Sequence, residues 1–437
     1  MLQYNVRKIR ARRLKLPCTS GLRLNESNDN DPIGHDWYSV ARRACATQVL
    51  RRRRVPRGRA WIDRAQRRTQ ATDRWRSRQE AHEAMNAQVK PEIARLKPYL
   101  AEVEAGKAYF WCACGRSKKQ PYCDGSHRGT GLEPRKFVAA VSEEVLLCAC
   151  KQTGTAPFCD GAHTNLPGGS PLDDPNSPAN RAVGYSKEIV GARTILNGGC
   201  YVFSPAHAKF AVRGSLSYCD VVSGGFGATY QSQILLRVTG DASPIMTFGD
   251  CHTALFVSKG SGSLSISGRR FALQCMDGAY IRPFESFELA PAAGSTLEVF
   301  ASACPRGAIT WVDTMRHDFD NRFPERIVSV DEEHRTAMGP RWFQILVDKR
   351  IGSDVITQFI GHIPESKAAP HRHLYEEAII VHSGAGCMWT EDRKSDVRAG
   401  DVIFLPRKQK HSLQATTLAG MNVVGVIYPG DNPSINY

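Results

Sequence analysis

From about Gly184 to Tyr437 the chain is built of short runs of Val, Ile, Phe and Thr broken by glycine, with few helical periods. Such runs between turn residues predict strands, and a long series of them predicts an all-β barrel or sandwich. Two stretches inside the region are alike: "ALFVSKGSGSLSISGRRFALQCMDGAYIRPFESFELAP" from Ala254 and "AIIVHSGAGCMWTEDRKSDVRAGDVIFLPRKQKHSLQA" from Ala378. Aligning Gly260-Ser-Gly262 with Gly384-Ala-Gly386 gives an internal offset of 124 residues, which predicts two barrels in tandem, 184–320 and 321–437. Upstream, "PEIARLKPYLAEVE", with Pro91 at a permitted first-turn position, predicts a short amphipathic helix within 85–106. "NLPGGSPLDDPNSPANR", rich in Gly, Pro, Ser, Asn and Asp, predicts a linker over 166–183.

Charge changes the picture at one end only. The formal net charge is +15, but residues 1–84 carry 21 Lys and Arg against 8 Asp and Glu, leaving the remainder nearly neutral. Of those 21 basic residues only Lys8 and Lys15 are lysine, and "RRRRVPRGRA" spans Arg51 to Ala60. GC-rich DNA read in a coding frame yields Arg without Lys, so the segment is expected to be translated sequence upstream of a start at Met85. A disordered basic tail and a nucleic-acid-binding arm are the alternatives. Nucleic acid is not expected as a partner of the body. No apolar signal region stands near Met1 and no run reaches bilayer-spanning length, so no membrane association is expected. Of 14 cysteines, six lie in one repeated motif and the other eight are scattered singly. That usage suits a reducing compartment, and a cytoplasmic location is expected.

The repeated motif occupies residues 107–165. Each copy reads Cys-x-Cys-x8-Cys-x3-His: Cys112, Cys114, Cys123 and His127, then Cys148, Cys150, Cys159 and His163, at an offset of 36 residues. Three thiolates and an imidazole at this spacing suit either a tetrahedral zinc or an iron-sulfur cluster. Both copies also fit C-x-C-x2-S/T-x3-P-x-C-D-G-S/A-H, through Ser117 or Thr153, Pro121 or Pro157, and Asp124-Gly125 or Asp160-Gly161. This resembles the CDGSH iron-sulfur family. The resemblance implies a 2Fe-2S cluster in each unit, one iron held by two cysteines and the other by a cysteine and the histidine. It also implies that Ser117 and Thr153 lie near the cluster, and that Asp124 and Asp160 fix the turn that aims the histidine.

A second constellation lies in the last third. His371 and His373 share a face of an extended chain, Glu377 keeps their parity and Glu376 does not, and His411 follows beyond Gly400 and Pro406. Three imidazoles and a carboxylate with open positions suit iron, manganese, nickel or copper. These segments resemble the two motifs of the cupin superfamily, His371-x-His373-x3-Glu377-x6-Gly384 and Gly400-x5-Pro406-x4-His411. The resemblance implies a small β-barrel holding one metal on His371, His373, Glu377 and His411. The sequence departs from the family where Lys408 replaces a usual glycine, so the local loop is in question. At the equivalent positions of the earlier copy stand Thr247, Gly249, Thr253 and Glu288, which predict a barrel without metal.

The expected architecture is therefore mainly β: two small CDGSH-type units followed by a bicupin with one active barrel. Its expected cofactors are two 2Fe-2S clusters and one mononuclear divalent metal, Fe(II). The expected function is an oxidoreductase, a dioxygen-using oxygenase acting on a small-molecule substrate with electrons from the clusters. An electron-donor protein or reductase, and a second copy in a cupin-type homodimer, are the expected protein partners. The alternative is a redox or iron sensor in which the cupin binds an effector.

Overall fold

Antiparallel pairing begins where a helix is expected. The structure, a computed structural model, describes residues 90–437, which lie within one compact unit, Ala84–Tyr437. The readings made for residues 1–84, and the start at Met85, fall outside the described residues. Four short strands come first: β1 (Tyr99–Val103), β2 (Ala108–Trp111), β3 (Arg135–Val138) and β4 (Glu143–Leu147). β1 pairs with β4 and β2 with β3, both antiparallel. The helix expected within 85–106 is thus corrected over its described part. Glu92 N–H donates to Cys114 O at 3.0 Å and Ala94 N–H to Ala149 O at 3.1 Å, so residues ahead of β1 serve both cysteine segments. Tyr99, Ala101 and Val103 point inward at period two. Long-range pairing outweighs a weak helical propensity.

The two cysteine segments share a small core of Trp111, Leu147, Cys148 and Cys150. Trp111 Nε1–H donates to Cys148 O at 2.9 Å, and the buried Lys151 ammonium donates to Gln120 Oε1 at 2.9 Å and to Cys148 O at 3.0 Å. These bonds lock the copies together.

Beyond them lie two barrels of two sheets each. The first holds a seven-stranded and a five-stranded sheet around Leu255, Ile266, Phe287 and Val299. The second holds a nine-stranded and a six-stranded sheet around Ile363, Ile379, Met388 and Leu413. Leu235, Phe256 and Phe300 of one pack against Ile360, Ala378 and Val424 of the other.

Strand exchange moves the expected boundaries. Tyr201–Phe203 pairs with Val402–Leu405, and Gly184–Tyr185 with Arg393–Arg398, so chain from the expected first barrel completes the second. Ile327–Val328 goes the other way and pairs with Gly278–Ile281. The 166–183 stretch is not a free linker either: Leu172–Asp173 joins the six-stranded sheet beside Ser366–Ala368, and Lys367 Nζ meets Asp173 at 2.7 Å. Each exchange occupies backbone groups that an edge strand would leave unpaired.

Arg326, fully buried on the exchanged segment, forks onto Glu285 at 2.6 and 2.8 Å. Glu285→Ala leaves that guanidinium uncompensated and is expected to cost about 3–5 kcal/mol. Thermal unfolding checks it: an unchanged midpoint would contradict this account of the exchange. Among the described residues, no helix is long and apolar enough to cross a membrane.

Candidate metal centres

Both cysteine pockets are built by the same backbone bonds. The first cysteine of each donates to the proline carbonyl, Cys112 to Pro121 and Cys148 to Pro157, both at 2.9 Å. The third donates back across the turn, Cys123 to Phe110 O at 2.8 Å and Cys159 to Leu146 O at 2.9 Å. Asp124 accepts from Lys118 N at 2.8 Å and Ser126 N at 3.0 Å; Asp160 accepts from Gly154 N at 2.7 Å and Ala162 N at 3.0 Å. The Ser126 hydroxyl, then the N–H groups of Lys118 and Ser126, hold the Asp124 carboxyl well below the usual range. Ser117 and Thr153 donate to Tyr122 O and Phe158 O at 2.6 and 2.7 Å, bracing the residue before the third cysteine.

The donor atoms stand in pairs. Cys112 and Cys114 sulfurs are 3.7 Å apart, and Cys123 Sγ is 3.1 Å from His127 Nδ1. In the second pocket the distances are 3.6 Å for Cys148 with Cys150, and 3.5 Å for Cys159 with His163 Nδ1. A single tetrahedral zinc, with thiolates at about 2.3 Å, gathers all four donors closely. Among the described residues, the group of three whose donor atoms all lie within 4.8 Å of one another is a histidine triad elsewhere. Donors standing in a Cys–Cys and a Cys–His pair suit a two-iron cluster, one iron to each pair.

The pockets differ in surroundings. His127 Nε2 lies 3.4 Å from Glu133 Oε2 at a partly open edge. His163 is buried and its Nε2 has no hydrogen-bond partner. The chain's last residues cover this side. Asn432 Nδ2 donates to Asp160 O at 3.0 Å, and Ile435 packs with Cys159 and Leu146. Gly161 has φ 85°, and a Cβ there would lie 1.8 Å from Ser434 Oγ, so only glycine admits this contact.

The triad is His371, His373 and His411. An isolated antiparallel bridge joins the first and last, with reciprocal N–H to O bonds of 3.0 Å. Each ring is aimed by a main-chain carbonyl at Nδ1: Ala369 O at 2.9 Å, Ile435 O at 3.2 Å and Gln409 O at 2.8 Å. Nδ1–H is therefore the donor, which leaves three Nε2 lone pairs for a ligand, and the three rings bring their donor atoms within 4.8 Å. Glu377 reaches in from Glu376–Ser383 with Oε2 3.8 Å from His373 Nε2. Gly425 makes room, since a Cβ there would lie 2.9 Å from Glu377 Oε1 and 2.4 Å from the Phe359 ring. Glu376 faces the other barrel and accepts from Thr229, Tyr230 and Gln231 N–H at 3.0 to 3.1 Å.

Burial lowers His411 to about 4 and holds His371 and His373 well below their usual value, while it raises Glu377 to about 8. Three neutral imidazoles beside a carboxyl that lacks a counter-charge suit a divalent cation, which would draw the proton from Glu377. Lys408, where a glycine is usual, takes φ 65° and keeps the loop: its N–H donates to His373 O at 2.8 Å, and its ammonium pairs with Glu144 on β4.

Among the described residues, the three-donor group belongs to the second barrel. The first barrel's strand register sets Phe287, rather than Glu288, against Met246, and Phe287 stacks on Phe248 with centroids 6.3 Å apart. Both rings belong to the core of this barrel. His252 is engaged with Tyr280 OH at 2.5 Å.

A cavity of about 110 Å³ opens beside the triad and Glu377. Sequence reasoning missed three contributors to its walls: Arg341, Lys97 and the chain's end at Pro433 and Asn436. Each is distant in sequence from the ligands, and none carries a motif.

The family described as "Iron-binding zinc finger CDGSH type" matches residues 85–128, and the cupin domain family matches residues 361–426. The first match ends after the first cysteine pocket. The chain is similar to the mouse (Mus musculus) mitochondrial CDGSH iron-sulfur domain-containing protein 3, 58% identical over 52 residues. That is 11% of this chain and 38% of the relative, so the chain spans about two-fifths of the relative's length. Among solved structures, Ylba from E. coli is 15% identical over 55% of this chain and 95% of that one, with a TM-score of 0.43. Salicylate 1,2-dioxygenase from Pseudoaminobacter salicylatoxidans, as an adduct with gentisate, is 11% identical over 52% and 81%, with a TM-score of 0.43. The chain thus joins a CDGSH-type iron-binding segment to a cupin domain in a mainly β fold.

Proposed function

We propose that the protein is an iron-sulfur-assisted, cupin-metal-dependent oxidoreductase, a dioxygen-using oxygenase that acts on a small organic substrate. One contact carries the reading. Ile435 packs its side chain with Cys159 of the second cysteine pocket, and its carbonyl accepts the Nδ1–H of His373 in the triad. A single residue therefore touches a donor from each centre.

A redox-active divalent metal such as iron, held by Nε2 of His371, His373 and His411 and by Glu377, would supply the one-electron chemistry that dioxygen requires to react with an organic molecule. The protein's own groups do the rest. The carbonyls of Ala369, Ile435 and Gln409 hold the rings in the Nδ1–H tautomer. Phe359, Ile379 and Val423 give the cavity an apolar stretch of wall, which limits water and strengthens charge interactions beside it. Cys112, Cys114, Cys123 and His127, with Cys148, Cys150, Cys159 and His163, would hold two 2Fe-2S clusters that pass single electrons. The more open first pocket suits docking of a donor protein, and the second, covered by the chain's end, suits delivery.

Oxygen consumption by the anaerobically purified, reduced protein with a panel of small organic substrates tests the proposal. Uptake that depends on both reductant and substrate is expected. No uptake with any substrate overturns it and favours a redox or iron sensor.

A further inference from the structure

Between the two cysteine pockets sits a buried ammonium whose acceptors carry no charge. Lys151 follows Cys150 and is 7% exposed. Its Nζ donates to Gln120 Oε1 at 2.9 Å and to Cys148 O at 3.0 Å, and lies 4.6 Å from the centroid of the Trp111 ring. Gln120 continues the chain, since its Nε2 donates to Cys112 Sγ at 3.3 Å and to Gly115 O at 3.0 Å. One cation is thus bonded to the main chain of a ligand in the second pocket and, through one amide, to a ligand sulfur in the first.

The two copies divide these parts in a way that packing alone does not require. At the 36-residue offset, Lys151 stands where the first copy has Gly115, and Gln120 where the second has Ala156. Both backbones are left-handed there, with φ 63° at Lys151 and 84° at Gly115, a region that glycine enters freely and lysine only at a steric cost. A Cβ at Gly115 would lie 1.9 Å from Glu92 O, so only the second copy can house the side chain. A buried ammonium is costly unless it is compensated. The pockets supply that compensation, because a 2Fe-2S cluster on three thiolates and a neutral imidazole is anionic, and more so once reduced. Burial pulls the ammonium's pKa down, and Cys112, Cys148, Cys114 and Cys150, from both pockets, draw it back up.

We propose that Lys151 is the shared counter-charge of two 2Fe-2S clusters: its ammonium, with Gln120 as the positioning residue that orients it and bonds Cys112, makes an electron easier to place on either one. In each case one electron enters, one iron passes from ferric to ferrous, and Lys151 stays as it is. A nearby cation favours the more negative, reduced form, and hydrogen bonds to ligand sulfur act in the same direction. The inference rests on the two-cluster part of the proposed function and on neither dioxygen nor substrate. It gives a reason for locking the pockets together, since one charge then serves both.

A reductive titration of the full chain carrying both clusters tests it, with dithionite as the reductant and absorbance read against dyes of known potential. Lys151→Met keeps most of the stem and removes the charge. Both halves of the titration, one electron each, are expected to move to lower potential, each by about a tenfold change in the reduction equilibrium, which is about 59 mV for a one-electron couple. Gln120→Glu puts an anion beside the ammonium and cancels its field without emptying the buried space, so it too is expected to lower both. Iron and acid-labile sulfide should stay at wild-type values. A role confined to packing predicts changed stability and unmoved potentials. If Lys151→Met does not hold its clusters, Gln120→Glu decides by the same criterion. A shift in only one half, or in neither, overturns the proposal. Unmoved potentials at about four sulfides per chain would sink this inference alone, whereas wild-type protein without sulfide would sink the two-cluster reading with it. Shifted potentials without oxygen uptake would sink the oxygenase reading and leave the shared charge standing.

Discussion

Replacing His411 with alanine is expected to take the mononuclear metal from about one ion per chain to a trace, and to abolish oxygen uptake. The absorbance of the clusters should stay as it was. His411 contributes one of three Nε2 donors, and even losing a hydrogen-bond partner behind a ligand costs about 10–100-fold in affinity; losing the ligand costs more. The backbone should not suffer. The bonds to His371 use the main chain of His411, and alanine preserves them. Elemental analysis of the variant beside wild type gives the answer, and full retention of the mononuclear metal would remove His411 from the ligand set.

The second large effect separates the two cysteine pockets. Cys159→Ala and Cys123→Ala each delete one ligand, so each should drop acid-labile sulfide from about four to about two per chain. Their effect on reductant-driven oxygen uptake should differ. Cys159 packs with Ile435, whose carbonyl is bonded to His373, whereas Cys123 lies on the pocket whose histidine faces Glu133 at the surface. Loss of the second pocket is therefore expected to cut uptake by about a hundredfold or more, since it removes the centre adjoining the metal. Loss of the first should leave a small-molecule reductant able to serve the second and cost much less. Equal losses in the two variants would show that position relative to the triad does not matter, and the proposed route would fall.

How much of this was readable from residue order follows how far apart the cooperating residues lie. Cysteine and histidine ligands within seventeen residues are held by their own turn, so spacing marked both pockets, while the role of Asp124 and Asp160 as turn-formers came from the resemblance to the CDGSH family. Alternation along a strand is expected to set His371, His373 and Glu377 apart from Glu376; the strand begins only at Glu376, and there the two glutamates do take separate partners. The departure at Lys408 left the loop open to question. Its positive φ preserves the turn, and its ammonium gains a partner on β4 that no local pattern announces.

Where the chain's choices depended on distant partners, the sequence misled. The segment around Tyr99–Val103 has apolar spacing that suits a helix, yet pairing with Glu143–Leu147 decides it as a strand. The stretch 172–203, placed in a linker and the first barrel, belongs to the sheets of the second, because those sheets needed edge partners. Arg341 looks like any arginine at the head of a strand.

The sequence by itself marked the local chemistry, two cysteine pockets and one histidine site, since short spacings constrain side chains regardless of what packs around them. Only the tertiary structure decided which pocket adjoins the triad and which barrel each strand completes. Those depend on backbone hydrogen bonds and burial between residues hundreds of positions apart, as between Asp160 and Asn432, and no local pattern encodes them.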